Sequence, residues 1–314
     1  MPKKARNVAA SHRARLLALA QERREDFQFL LGRWAIERFL YRLSISDHKD
    51  RFVLKGAMLF IAWAGQLHRP TRDLDLLGWG SPDLEEVTAA IRAICAMECD
   101  DGLQFELHGV EGERIKEDAE YAGVRVWVPA SLDRAKVRLQ IDVGFGDAVD
   151  PEPQQVTFPV LLPLEPPRLR AYPPEAMVVE KLHAMVLLGI ANSRMKDFFD
   201  IWTLASSCQF RLPVLAGSIR STFQRRSTPL PTGTPLALTD EFLEDPAKTA
   251  QWSAFVRRLG LPGGAPSLTD VGDLLGQFLL PALTSAASTE ALDRIWNPPG
   301  PWCGVENALG RLIV

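Results

Sequence analysis

Cysteine is scarce and scattered, with four residues at positions 95, 99, 208 and 303 of 314. That is too few for a disulfide framework and suits a reducing compartment, so the cytoplasm is expected. No uninterrupted apolar run approaches the roughly 20 residues that span a bilayer, so no membrane partner is expected. The basic start, Met1-Pro2-Lys3-Lys4, has no apolar stretch behind it and does not read as a secretory signal. Neither a P-loop G-x-x-x-x-G-K-[ST] nor a G-x-S-x-G nucleophile elbow occurs. A uniform cationic coat is also missing, because 36 Lys+Arg face 39 Asp+Glu for a net charge of -3. What cation excess there is lies at the start: residues 1–50 hold 11 Lys+Arg and 6 Asp+Glu. An anionic polymer would meet that end first.

What the chain does have is 46% hydrophobic residues, enough for one or two domains with real cores. From residue 11 to about 43, apolar positions recur at three- and four-residue steps, giving one long amphipathic helix or two shorter ones. Its polar face carries Arg13, Arg15, Arg23 and Arg24, a solvated surface or a strip that meets phosphate. Residues 51–56 read as a short strand ending in Gly56, 57–64 as a helix, 74–77 as a strand and 85–97 as a helix. Two strands are expected over 103–128 around a polar connection. The clearest strand follows, where Val137, Leu139, Ile141 and Val143 alternate with Arg138, Gln140 and Asp142. Prolines crowd residues 151–174, which suits irregular chain or edge strands and a lobe boundary. Helices are expected over 175–190, 194–205, 239–259 and 267–285, and a turn-rich tail near 297–302. The reading is an α+β (α/β) bilobed protein: a lobe with a mixed sheet over 1–165, then a mainly helical lobe over 166–314.

The densest chemistry lies in Arg69-Pro70-Thr71-Arg72-Asp73-Leu74-Asp75. Two positions apart on a strand, Asp73 and Asp75 share a face while Leu74 points to the core. Crowded carboxylates repel unless a cation neutralises them, and Mg²⁺ bound by one or two carboxylates plus substrate phosphates is the usual answer. A solvated pair at a strand end is the plain alternative. Asp142, on the polar face of its own strand, is a third acid that could complete a two-metal site for in-line phosphoryl transfer. Lys55-Gly56-Ala57 is a turn feeding a helix, where bare amides could receive phosphate oxygens. Lys181 lies among apolar neighbours, either snorkelling to the surface or binding a triphosphate. Asp197 could cap its helix, orient Lys181 or help deprotonate an acceptor hydroxyl. Cys95 and Cys99 lack partners for a zinc site, and His183 reads as structural.

These motifs together resemble the AbiEii/AbiGii family of toxin nucleotidyltransferases from type IV toxin–antitoxin systems, and through it the polymerase-β-like superfamily. The resemblance runs from residues 35–43 through Phe52-Val53-Leu54-Lys55-Gly56-Ala57, Arg69-x-Thr71-x-Asp73-x-Asp75, Asp142, Glu180-Lys181 and Lys196-Asp197 to Trp252-Ser253-Ala254-Phe255. The superfamily has Gly-Ser or Gly-Gly before the acids where this chain has Gly56-Ala57, and Thr71 could replace the missing hydroxyl. The resemblance implies a polymerase-β-like lobe and an enzyme that takes a nucleoside triphosphate with Mg²⁺ (or Mn²⁺) and transfers the monophosphate to the 3′ end of tRNA. It implies that Asp73, Asp75 and Asp142 hold metal, that Lys181 and Arg69 neutralise the triphosphate, that Lys55, Gly56 and Thr71 shape the phosphate turn, and that Asp197 is functional. It also implies a cognate antitoxin. From charge alone, Arg13, Arg15, Arg23, Arg24, Arg220, Arg225 and Arg226 are candidates for the RNA backbone.

Overall fold

The computed structural model describes residues 7–64, 69–116, 122–147, 149–260, 264, 266–288 and 292–305. The expected polar connection at 117–121 and the basic start at 1–6 lie outside these residues. The chain forms two compact units, Met1–Gly146 with Gln154–Ala171, and Asp147–Pro153 with Tyr172–Val314.

The first unit opens with α1 (Val8–Arg23) and α2 (Phe27–Ile45), so the long amphipathic stretch is two helices. Arg24 at φ 56° ends the first, and the Asp26 side chain accepts from the Phe29 amide to start the second. Then come β1 (Phe52–Lys55), α3 (Leu59–Ala64), β2 (Asp73–Gly78), α4 (Leu84–Cys95), β3 (Leu103–Phe105), β4 (Glu111–Lys116), β5 (Ala122–Leu132), β6 (Ala135–Phe145), β7 (Gln154–Thr157) and β8 (Arg168–Ala171). Three strands, not two, occupy 103–132, because the short β3 and the hairpin arm β4 both pair with β5. The sheet order is β3-β5-β6-β2-β1-β8-β7, with β4 also on β5. It is mixed: β2–β6 and β1–β8 run parallel, while β1–β2 and β5–β6 run antiparallel. The proline-rich segment supplies the edge strand β7, as its composition suggests.

Val124, Val126 and Val128 sit opposite Val143, Ile141 and Leu139, and with Leu74 and Leu76 they make one buried face. Helices α1, α2 and α4 pack on this sheet. Two ionic locks hold the α2 layer. Arg42 forks onto both oxygens of Asp101 at 2.7 and 3.1 Å, both side chains being nearly sealed from water. Glu37, fully buried, accepts from the Leu161 amide at 2.9 Å and faces Arg33 at 3.4 Å.

Burial pushes the Glu37 carboxyl up to about 7, against the pull of Leu161, Arg33 and Arg38. A raised acid pKa means the folded chain holds a proton that the unfolded chain has released, so stability falls as pH rises from about 4.5 through 7. Glu37→Gln removes that titration. Denaturant midpoints at pH 5 and pH 8 should show the variant gaining on the parent by up to about 3 kcal/mol at the higher pH, at about 1.36 kcal/mol per pKa unit. An unchanged difference between the two pH values would refute the assignment.

The second unit is mainly helical. It comprises α5 (Pro174–Leu188), α6 (Met195–Ser207), β9 (Phe210–Arg211), α7 (Leu212–Arg225), α8 (Asp240–Leu243), α9 (Pro246–Leu259), α10 (Leu268–Ala287), β10 (Arg294–Trp296) and β11 (Trp302–Gly304). Proline opens α5 at a first-turn position, where no amide donor is needed. The expected helix at 239–259 is broken in two, because Asp245-Pro246 starts a fresh capped helix. The expected turn-rich segment is the turn that joins β10 to β11, and these two strands build a three-stranded sheet with β9. Trp252 is core: it is buried against Phe199 and donates to the Pro266 carbonyl.

Candidate active site

The acids rise from the face of the sheet opposite the valine face. Register fixes their neighbours. Lys55 pairs with Asp75, Asp75 with Asp142, Asp142 with Arg125, and Arg125 with Glu113. Side chains opposite one another on paired strands share a face, so these five residues form a row of charges across β1, β2, β6, β5 and β4. One step along, Asp73 pairs with Gln140, and Gln140 with Trp127. The sequence placed Asp73, Asp75 and Asp142 on polar strand faces, and the structure brings Asp75 and Asp142 to adjacent strands at the same level.

Gly56 fixes the Asp75 end. It turns the chain out of β1 at φ +74°, and a Cβ built on it would lie 2.7 Å from Asp75 Cβ and Cγ. The carboxylate thus rests directly on bare backbone, which only glycine permits. Gly56→Ala should cost about 1–3 kcal/mol of stability from strain alone and displace Asp75. We expect a lowered melting temperature and at least about a tenfold loss of nucleotide transfer; a variant with parental transfer would show that Asp75 does not need this seat.

The expected bare amides after this turn are corrected in part: Leu59, Phe60 and Ile61 donate to the carbonyls of Gly56, Ala57 and Met58 at 3.1–3.2 Å. Lys55 is buried at 3% exposure, at the end of β1 and level with Asp75. Arg69 and Thr71, just before β2, are half-buried.

Asp142 shows what the sequence reading missed. Arg125 clasps it in a two-pronged ion pair, Nε to Oδ1 and Nη2 to Oδ2, each at 2.8 Å. Gln140 adds a third donor at 3.0 Å. The hydrogen bond to Asp142 pushes the Arg125 guanidinium further toward its charged form, with the charges of Asp142, Asp73 and Glu113 adding to it. The signal was present, since Val124-Arg125-Val126 alternates as Ile141-Asp142-Val143 does, but only the strand register joins the two. Among the described residues, no group of three or more His, Cys, Asp or Glu is placed to hold a metal ion. Asp73 and Asp75, two half-buried carboxylates on one face, are the residues that could hold Mg²⁺, while Asp142 is engaged by a guanidinium.

The second unit carries its own cluster. Lys181 on α5 reaches Asp197 at 2.9 Å and Asp200 at 2.8 Å, and Arg194 contacts the other oxygen of Asp197 at 2.7 Å. Both acids are sealed from water. Asp197 does not cap α6, whose N-cap residue is Arg194, but it does orient Lys181. Asp200 was not foreseen, although it lies one helical turn beyond Asp197. His183 is structural, as expected: it is buried against Phe223 and bonds Thr228 at 2.8 Å.

The candidate RNA arginines divide. Arg15, Arg23, Arg24 and Arg225 are exposed, and Arg13 lies 3.9 Å from Asp133. Arg220 is exposed but donates to the Ala286 carbonyl. Arg226 is corrected: its side chain is 8% exposed and bonds Asp147 at 2.6 Å, so it ties the 147–153 segment to α7 within its own unit.

In class the protein is a nucleotidyltransferase of mixed α/β architecture. It belongs to the AbiEii family, the nucleotidyl transferase toxins of type IV toxin–antitoxin systems, whose model matches residues 38–273. Membership makes it the toxin half of such a pair and gives it an antitoxin as partner. Two solved structures from Helicobacter pylori are similar to it. JHP933 is 16% identical, with 83% of this chain and 93% of that one covered at a TM-score of 0.48. A candidate nucleotidyltransferase from the same organism is also 16% identical, with 85% and 99% covered at 0.47. No curated protein matches the chain. No helix among the described residues is long and apolar enough to cross a membrane.

Proposed function

We propose that this toxin transfers a nucleoside monophosphate from a nucleoside triphosphate to the 3′ end of tRNA, which blocks aminoacylation and so translation. The observation that carries the reading is the charged row on the sheet face opposite the valines, with Asp75 and Asp142 side by side and Asp73 one step away. Asp73 and Asp75 are the residues that would hold Mg²⁺ or Mn²⁺, which when bound supplies charge neutralisation at the transferred phosphate. Gly56 holds Asp75 in place, and Lys55 balances its charge from the neighbouring strand. Arg69 and Thr71, leading into β2, are assigned to the triphosphate, as is Lys181. Asp142, steadied by Arg125 and Gln140, is assigned to the acceptor hydroxyl, where a carboxylate can take the proton. The exposed Arg15, Arg23 and Arg24 are assigned to RNA phosphates.

Purified protein incubated with each of the four labelled triphosphates and total RNA tests this. Label in the tRNA fraction is the expected result. Label only on a small molecule, on the partner protein or on the toxin itself would replace tRNA as the target.

A further inference from the structure

We propose that Trp127, flanked by Arg125 and Arg138, is a stacking seat for an unpaired nucleobase at the end of the acceptor polynucleotide. This rests on the reading above, and it names a subsite that the reading leaves open. Trp127 is half-buried on β5 and rises from the same face as the acids, because it pairs with Gln140 and Gln140 pairs with Asp73. Strands lie about 4.8 Å apart, so the ring is rooted about 10 Å from Asp73, within reach of a nucleotide whose sugar sits at the acids. On β2, β4, β5 and β6 it is the aromatic residue of that face among the described residues.

Two features mark the ring as a binding surface. Guanidinium groups attend it, Arg138 at 4.6 Å and Arg125 at 5.8 Å from the ring centre. Arg138 is half exposed, and its ion pair among the described residues is with the still more exposed Glu111, a contact of small worth that phosphate can displace. An aromatic face beside an exchangeable cation, Arg138, is the chemistry that takes a single-stranded nucleic acid, and stacking on it is tolerant of base identity. Direction across the sheet decides which base. Lys55, Gly56, Arg69 and Thr71 belong to the β1–β2 side, whereas Trp127 lies beyond Asp142 on the β5 side, where the acceptor hydroxyl is assigned.

Steady-state transfer by full-length Trp127→Ala should show the Michaelis constant for tRNA raised about tenfold or more, with the nucleotide Michaelis constant changed far less. Trp127→Phe should recover most of the loss. A rise in the nucleotide constant instead would move the incoming base to this ring and overturn the acceptor assignment, as would no change in either. Fluorescence anisotropy of a labelled single-stranded RNA heptamer, without triphosphate, separates this inference from the transfer reaction. Weaker binding by Trp127→Ala supports the seat even if no RNA accepts label, and equal binding refutes it. Arg138→Ala, at an exposed position that the fold does not need, should also weaken heptamer binding and flatten its salt dependence; parental affinity and slope would count against the cationic flank.

Discussion

Asp75→Ala should abolish nucleotide transfer while the protein stays folded. Asp75 lies at one level with Lys55 on β1 and Asp142 on β6, and of the three acids it is the one whose carboxyl rests on Gly56. Removing it takes away one of the two carboxylates that fit Mg²⁺ and relieves crowding between anions, so loss of function need not bring loss of fold. We expect transfer to fall at least about a thousandfold, which is about 4 kcal/mol of barrier at 1.36 kcal/mol per decade, with a melting temperature within a few degrees of the parent. Labelled-nucleotide transfer measured beside a thermal melt checks both. Parental transfer by a folded Asp75→Ala protein would remove the row from the chemistry altogether.

Lys181→Ala should behave differently, because two sealed carboxylates share that ammonium. Asp200 would lose the cation 2.8 Å away, and Asp197 would keep Arg194. Breaking a buried pair by removing one partner costs about 3–5 kcal/mol, so the variant should show a much lower denaturant midpoint as well as weak transfer. Such a result alone cannot assign Lys181 to the triphosphate. Replacing the cluster by apolar residues of similar size, Lys181→Met with Asp197→Leu and Asp200→Leu, removes the buried charges together and should restore most of the stability. If transfer returns with stability, Lys181 only tethers α5 to α6. If stability returns and transfer does not, the lysine or its acids act on the nucleotide, as proposed.

Much of the fold was legible because strand and helix periods are local. The alternation at 137–143 gave β6 and its face, and the Asp-x-Asp spacing put both acids on one side of β2. What could not be read was pairing. Nothing within either segment says that Asp75 meets Asp142 across a parallel ladder, or that Arg125 comes from the other side to clasp it. Helix α7 went unforeseen although Leu212, Leu215, Ile219 and Phe223 have helical spacing. Gly217 and a run of Ser and Thr weaken its local preference, and burial against α5 and α10 supplies what the segment lacks. That Asp197 orients Lys181 was one of several readings open from sequence, and it took the packing of α5 on α6 to select it and to add Asp200 to one ionic core.

The parallel pairing of β2 with β6 has a bearing on how such a toxin is tolerated by the cell that makes it. The ladder that sets Asp142 beside Asp75 needs β6 from Gln140 to Phe145, and β6 is among the later strands of the sheet to leave the ribosome. A nascent chain, or one cut short by a stop codon before Phe145, lacks the strand that completes the row. Frameshifts and nonsense mutations upstream of the Phe145 codon should therefore appear as harmless escape alleles, and growth arrest should demand synthesis past that strand.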